Sequence, residues 1–277
     1  QIGYLTNTID SISKKNKNFT AYFSLNDKIK KAILKIDSTF YFLVTKYKIK
    51  NNTFSIPIEE LQNTLSEISN KLDQDGKSFS KVQLKNISFI HKTLFADIDI
   101  NQSKKRIINK VVLKGYENFP KSYLKNYFNI KPNTIFNQQK IKEISNASKS
   151  LTFIKEIKSP EVLFTRDSTL LYIYLKKHQN NSFDGIVNFA SKENGGVLFN
   201  GNIDLKLNNI LNTGEKFNLF WNSIAEERQE FKLSTDIPYI FNSKFSPELS
   251  FSIYKQDSTF LNTKFESRLI YNINQRI

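Results

Sequence analysis

Apolar–polar alternation marks the stretch Val197-Leu-Phe-Asn-Gly-Asn-Ile-Asp-Leu-Lys-Leu-Asn208. From Phe199 onward, each apolar side chain or glycine is followed by Asn, Asp or Lys. A period of two residues is that of a β-strand with one buried and one solvated face. Similar segments follow as far as Ile273, and no helical pattern interrupts them. The region 180–277 is therefore predicted to contain about six antiparallel strands, beginning at Phe183.

Strands of about 9–11 residues with one apolar face are typical of a transmembrane β-barrel, whose other face lines a wet lumen. The residues predicted to face lipid are Phe199, Ile203, Leu205, Leu207, Phe217, Leu219 and Trp221. Aromatic residues near strand ends are predicted to form girdles at the membrane boundary. These residues are Trp221, Tyr239, Phe241, Tyr254 and Tyr271. A soluble β-sandwich or lipocalin-like barrel has the same alternation and is the alternative.

The first two-thirds of the chain contains an internal repeat. Similar strand patterns occur at Asn18–Leu25, Thr93–Ile100 and Thr169–Leu175. The distance is 75 residues from Ala21 to Ala96 and 76 from Thr93 to Thr169. A unit of this length can bury a small core by packing helices on a sheet.

Helical patterns occupy the interior of each repeat. In Pro57–Leu72 the apolar residues recur every three or four positions, which predicts an amphipathic helix. Ser55 is its predicted N-cap, and Pro57 suits the first turn. The order predicted for a unit is strand, helix, helix, strand, strand, with two helices covering one face of a mixed sheet.

Several phrases in this arrangement resemble a known module, the POTRA domain. Tyr123–Ile141, which contains Asn129-Ile-Lys-Pro-Asn-Thr-Ile-Phe-Asn137, is similar to its helix-loop-helix phrase, with Asn133 where Gly is usual. Gln74-Asp-Gly-Lys-Ser-Phe79 and Gly3-Tyr4 resemble the phrase after the second helix. The chain thus resembles the BamA/TamA-like outer-membrane assembly superfamily, in which POTRA domains precede a β-barrel of about sixteen strands. Gly201–Phe217 and Asp236-Ile-Pro-Tyr239 are similar to the opening of that barrel.

The predicted fold class is α+β POTRA modules (β-α-α-β-β) followed by the N-terminal strands of an antiparallel transmembrane β-barrel. Residues 1–27 are predicted to be the C-terminal part of one POTRA domain. Residues 28–104 and 105–179 are predicted to be two further POTRA domains, and 180–277 the first strands of the barrel. Because a closed barrel of this kind needs at least about eight strands, we expect the sequence to be a fragment truncated at both ends, with Gln275-Arg-Ile277 in or just after a strand.

The resemblance implies a factor that assembles and inserts outer-membrane proteins. Nascent β-strands would add to POTRA edge strands by β-augmentation, for which Lys81–Phe89 and Ile154–Phe164 are the candidates. The resemblance also implies that the first barrel strand, Phe183–Ala190, forms one side of a seam on which a client strand is templated. We expect this strand to be short and weakly paired. Its predicted partner-binding residues are Phe183, Gly185, Val187 and Phe189.

The partners implied by the resemblance are unfolded outer-membrane β-barrel proteins, membrane lipids and, as a further candidate, accessory lipoproteins. The implied location is the outer membrane of a Gram-negative bacterium, with the POTRA domains in the periplasm. One alternative is a POTRA-barrel translocase that secretes a specific partner protein. A second alternative is a soluble basic binding protein with a β-sandwich.

Composition argues against several other classes. The chain has no Cys and two histidines, which disfavours thiol catalysis, Cys-ligated metal and a His-rich metal site. The net charge of +15 lies in residues 1–179, with 31 basic and 15 acidic residues, against 10 and 11 in 180–277. No nucleic-acid-binding signature accompanies this charge, so nucleic acid is not an expected partner. We predict no enzyme activity, no catalytic residues, no metal and no cofactor. Carboxylate pairs such as Glu59-Glu60 and Glu226-Glu227 are interpreted as solvated.

Overall fold

The computed structural model describes residues 3–16, 18–191, 195–224 and 227–273. The chain divides into two compact units, which are described separately. The first comprises residues 1–107 with 135–138, and the second comprises 108–134 with 139–277. Gln275-Arg-Ile277 and Glu226 lie outside the described residues.

The first unit contains a two-stranded hairpin and a four-stranded mixed sheet. The hairpin consists of β1 (Thr8–Lys15) and β2 (Asn18–Ser24). The sheet consists of β3 (Lys31–Lys35), β4 (Thr53–Pro57), β5 (Lys81–Ile90) and β6 (Thr93–Asn101), in the spatial order β4-β3-β6-β5. Strands β3 and β6 are parallel, and the other neighbours are antiparallel. Helix α1 (Leu61–Gln74) buries Ile68 and Leu72 in the core beside these strands.

The prediction of two helices in this module is wrong. A short 3₁₀ helix at Ser38–Leu43 and strand β4 precede α1, and Ser55 lies inside β4 rather than at a helix N-cap. The buried side chains of Phe54, Ile56 and Ile58 alternate with exposed ones, which is the period of a strand. Pro57 adopts an extended conformation, and the chain then turns through a 3₁₀ segment, Ile58–Glu60, into α1.

The second unit begins with a module of the predicted β-α-α-β-β order. Its elements are β7 (Lys110–Lys114), α2 (Lys121–Asn126), α3 (Gln138–Ser150), β8 (Ile154–Phe164) and β9 (Thr169–Lys177). The spatial order is β7-β9-β8, with β7 parallel to β9. The inward residues of β9, Leu171, Ile173 and Leu175, are fully buried. Asn133 takes a positive φ of 64°, as the usual Gly would, and allows the turn between α2 and α3.

Six antiparallel strands follow, as predicted, and they pair in sequence order. They are β10 (Ser182–Ser191), β11 (Val197–Asn208), β12 (Lys216–Ile224), β13 (Arg228–Asp236), β14 (Phe245–Gln256) and β15 (Phe260–Tyr271). A 3₁₀ turn, Ile240–Asn242, lies between β13 and β14. The sheet is open, with β10 and β15 as its outer strands. No helix among the described residues combines the length and the apolar character needed to cross a bilayer.

Candidate functional site

The register of the six-stranded sheet brings the predicted seam and lipid-facing residues to one face. Directly paired residues share a face, and Phe183 pairs with Leu205, which pairs with Leu219. The same holds for Gly185, Ile203 and Trp221. The face continues across β13 to β15 through apolar residues at matching positions. These are Phe231, Leu233, Leu249, Phe251, Ile253, Phe265 and Leu269.

This apolar face is widely exposed. Phe189 is 76% exposed, Phe183 69% and Phe265 66%. A contiguous apolar surface of this kind marks a contact with another molecule or with lipid.

The opposite face of the sheet is polar and charged. Ion pairs on it join Lys206 to Asp204, Lys232 to Glu230 and Arg268 to Glu248. The Arg268 guanidinium lies 2.9 Å from the Glu248 carboxylate. Neighbouring opposite charges on a sheet face are compatible with contact with water. The two faces of the sheet therefore differ in polarity, one apolar and the other charged.

Strand β10 forms one outer edge of this sheet and, with ten residues, it is not short. It pairs with β11 along its whole length, from Ser182 to Ser191, without a bulge. At Gly201 φ is 144°, and an added Cβ would lie 1.9 Å from the carbonyl oxygen of Ile186, so the two backbones approach each other closely here. The expectation of a short strand is therefore wrong, and its weak pairing stays a prediction. Among the described residues, the other side of β10 carries no strand.

Both predicted edge strands of the modules are outer strands, but they differ in accessibility. Strand β8 contains Pro160 and two register shifts, at 156–158 and 158–161. Proline and bulges are devices that protect an edge from further pairing. Strand β5 has one register shift, between Lys85 and Ser88. Its C-terminal end exposes Ile87, Phe89 and Ile90. The end of β5 is the more open of the two.

A second site, which we name the junction, joins the module 108–177 to the turns 209–215 and 237–244. The Tyr116 hydroxyl donates to Asn212 Oδ1 at 2.7 Å and accepts from Asn209 Nδ2 at 3.0 Å. Lys177 Nζ also donates to Asn212 Oδ1, at 2.7 Å. Asn209 is 1% exposed, and burial raises the pKa of Tyr116. The turn is therefore held to the module by satisfied, buried hydrogen bonds.

Hydrogen bonds within the turn 209–215 also stabilise it. The backbone N–H of Gly214 donates to Asn209 Oδ1 at 2.9 Å. The Glu215 carboxylate accepts from the backbone N–H groups of Leu211 and Thr213 at 2.7 and 3.1 Å. Burial disfavours the ionised carboxylate, but these bonds and the Thr213 hydroxyl outweigh it and lower the pKa of Glu215.

Aromatic packing completes the junction. The buried Tyr123 ring of α2 lies edge-to-face on Phe153, with centroids 5.2 Å apart, and on Tyr239. An added Cβ on Gly214 would lie 2.5 Å from the Tyr123 ring, so only glycine leaves room for it. Asn126 Nδ2 donates to the carbonyl of Ser243 at 2.8 Å. Burial raises the pKa of both tyrosines, that of Tyr239 to about 12.

Three of the five predicted girdle aromatics are placed elsewhere. Tyr239 is buried in the junction, because its left-handed backbone (φ 53°) turns the ring onto Tyr123. Tyr254 pairs with Glu230 and Asn262 on the polar face. Tyr271 lies at the end of β15, and its ring packs on Phe245 with centroids 5.0 Å apart. Trp221 lies within β12, not at its end.

No group of three or more metal-ligating side chains occurs within the described ranges. His91 takes a positive φ in the tight turn between β5 and β6, and His178 follows β9. Glu59-Glu60 are exposed at the start of the helical segment.

Comparisons with known proteins agree with this geometry. Residues 106–176 match the POTRA family, described as a surface antigen variable number repeat. BamA from Haemophilus ducreyi lacking POTRA domains 1–3 matches with a TM-score of 0.57 and 14% identity, covering 82% of this chain and 42% of that one. CdiB from Acinetobacter baumannii matches with a TM-score of 0.49 and 15% identity, covering 90% and 51%. No curated protein sequence matches the chain.

Residues 106–176 therefore form a POTRA domain, and the described chain has the fold of POTRA modules followed by the antiparallel strands of a BamA-like barrel. This confirms the predicted fold class. The chain spans 42% and 51% of the lengths of these two structures.

The sequence reasoning missed the junction. One signal was available: Asn209, Asn212 and Gly214 lie close together between two strands, and all three take positive φ. Asparagine and glycine are the residues that adopt this conformation most readily.

Proposed function

We propose that the protein is an outer-membrane assembly factor that binds unfolded β-strands by β-augmentation and templates them on strand β10. The observation that supports this most directly is the geometry of β10. Its inner side is paired without interruption to β11, and its outer side carries no strand among the described residues. An edge of this length presents a row of backbone donors and acceptors that any extended client can use, whatever its sequence.

The two faces of the sheet support placement of its strands in the membrane. Strands of 9 to 12 residues match the length needed to cross a bilayer at a tilt. The apolar face would contact lipid, and the face with Lys206, Lys232 and Arg268 would face water. The POTRA modules would lie in the periplasm of a Gram-negative cell. Accessory lipoproteins remain a candidate partner for these modules.

The POTRA modules would offer a first contact to the client, and β5 is the better edge for it. Backbone pairing needs a flat and accessible edge, which Pro160 and two register shifts deny to β8. The exposed side chains of Ile87, Phe89 and Ile90 would add apolar contacts with an unfolded membrane strand. Clients would then pass to β10, where pairing and burial against lipid drive insertion.

Disulfide trapping tests the templating step, because the chain has no native Cys. Phe183→Cys on β10 is compared with Phe231→Cys, which lies on the same face but in the interior strand β13. A disulfide forms only when two Cα atoms come within about 7 Å. We expect Cys-bearing outer-membrane clients to cross-link to position 183 and not to 231.

Two results would contradict the proposal. Equal trapping at both positions would mean that β10 is not a specific template. Trapping of one secreted protein, with no barrel clients, would instead identify a translocase.

A further inference from the structure

A wide cleft in the second unit is not used by the templating function. It has a volume of about 860 Å³ and lies between the segment after α2, one face of α3 and the residues flanking β14 and β15. Four lysines line it, with a single carboxylate, which gives the lining a net formal charge of +3. The lysines are Lys125, Lys131, Lys140 and Lys244, and the carboxylate is that of Glu143.

Contacts with neighbouring groups fix the positions of three of the lysine side chains. Lys244 Nζ donates to the carbonyl of Ile273 at 2.8 Å, and Lys125 Nζ donates to the carbonyl of Asn242 at 3.3 Å. Only 12% of the Lys140 side chain is exposed, and its nitrogen lies 3.8 Å from the Glu143 carboxylate. Burial lowers the pKa of Lys140, against the attraction of Glu143. An anion in the cleft would relieve this cost of burying an ammonium group.

Lys244 and Ile273 place one wall of the cleft at the predicted edge of the bilayer. Lys244 immediately precedes β14, and its ammonium lies 5.9 Å from the centre of the Tyr271 ring at the end of β15. Phe245 and Tyr271 pack together there and are 41% and 53% exposed. Aromatic rings beside lysine at strand ends are typical of the level of lipid headgroups.

We propose that this cleft binds the phosphate headgroup of an anionic phospholipid from the adjoining membrane leaflet. The inference rests on the proposed membrane placement of the sheet. The acyl chains would leave the cleft past Phe245 and Tyr271, and the phosphate would lie among the ammonium groups. A phospholipid is favoured over an acidic peptide because Lys244 in the lining lies beside the exposed aromatic pair Phe245 and Tyr271 at a strand end, where acyl chains, not peptide, are to be expected. Binding there would tie the last POTRA module to the membrane surface.

The test uses the detergent-solubilised full-length protein and native mass spectrometry with added phosphatidylglycerol or phosphatidylcholine. The double variant Lys131→Gln/Lys140→Gln removes two cleft charges. The matched control, Lys155→Gln/Lys176→Gln, removes two charges from a cross-strand pair of β8 and β9 outside the cleft. Lys131→Arg/Lys140→Arg keeps the charge and reports on folding.

We expect the wild type to retain phosphatidylglycerol in preference to phosphatidylcholine. The cleft variant should lose roughly tenfold in retention, given the attraction that each lysine exerts on an anionic surface. The β8–β9 control and the arginine variant should keep the preference. An equal loss in cleft and control variants, or loss in the arginine variant as well, would overturn the assignment.

Two further experiments distinguish the possible reasons for a negative result. Displacement of the lipid by an equal concentration of inorganic phosphate would show a free-anion site and overturn the lipid assignment. Flotation of the reconstituted protein with liposomes tests membrane placement by itself. A protein that floats but shows no lipid preference refutes only this inference, whereas one that does not float refutes the proposed function as well.

Discussion

The ring of Tyr123 lies edge-to-face on the ring of Tyr239, with centroids 5.1 Å apart and planes at 87°. Tyr123 belongs to helix α2 of the POTRA module, and Tyr239 to the turn that joins β13 to β14. This contact makes the last POTRA module and the strand turns a packed structure rather than two bodies on a linker. If β10 receives clients, the module is held at a defined position beside it.

Truncation of Tyr123 should loosen this packing. Tyr123→Ala removes a ring that contacts Phe153 and Tyr239, and it leaves a cavity beside Gly214. We expect a loss of about 3 kcal/mol or more in the free energy of unfolding, measured by chemical denaturation in detergent. Tyr123→Phe keeps the ring and should behave nearly as the wild type. A Tyr123→Ala protein of unchanged stability would show that the contact is not formed in solution.

Alkaline pH should destabilise the same packing. Burial raises the pKa of Tyr123 and Tyr239, that of Tyr239 to about 12. A tyrosine in the unfolded chain has a pKa of about 10. Below about pH 10 both tyrosines are neutral in the folded and the unfolded state, so their packing contributes its full stabilisation. Above that pH the unfolded state loses protons that the folded state retains, so stability falls between about pH 10 and 12.

The measurement is the free energy of unfolding against pH, with tyrosinate absorbance recorded in parallel. The double variant Tyr123→Phe/Tyr239→Phe serves as the control, and its stability should fall less over this window. Identical slopes in both proteins would mean that these rings ionise freely.

The buried side-chain amide of Asn209 should be needed for docking of the turn 209–215 onto the POTRA module. Asn209→Ala leaves the Tyr116 hydroxyl and the Gly214 N–H without this partner. An unsatisfied buried group costs about 1–3 kcal/mol, so we expect destabilisation of this size. Proteolysis within 209–215 should also become faster.

Asn212→Ala is the matched comparison, because it removes bonds to Tyr116 and Lys177 at a more exposed position. It should cost less. A larger effect at 212 than at 209 would contradict the importance given to burial.

The contrast between what was and was not predictable has a physical basis. The apolar face was predictable because strand periodicity is local. The alternation around Ile203, Leu205 and Leu219 predicts the face of the sheet on which each side chain lies. Strand β4 was missed because Ile56 and Ile58 continue directly into the helical apolar pattern. The junction depends on residues such as Tyr116 and Asn209, which are 93 positions apart, and no local pattern encodes that contact.

The attachment of β10 to the sheet should depend on Gly201. Gly201→Ala would place a Cβ 1.9 Å from the Ile186 carbonyl oxygen, at a φ of 144° that L-residues rarely adopt. The strands must move apart, and we expect a loss of more than about 1 kcal/mol in stability. Hydrogen exchange should show faster exchange of the β10 amides than in the wild type. Gly185→Ala is the control, because its Cβ would meet Asn202 O at 3.0 Å, which a small shift relieves. Since templating requires β10 to stay paired with β11 while its outer side is used, Gly201→Ala should also lower client cross-linking at position 183. Undiminished cross-linking from a protein whose β10 amides exchange rapidly would mean that clients do not need the paired strand, and β10 would then not be the template.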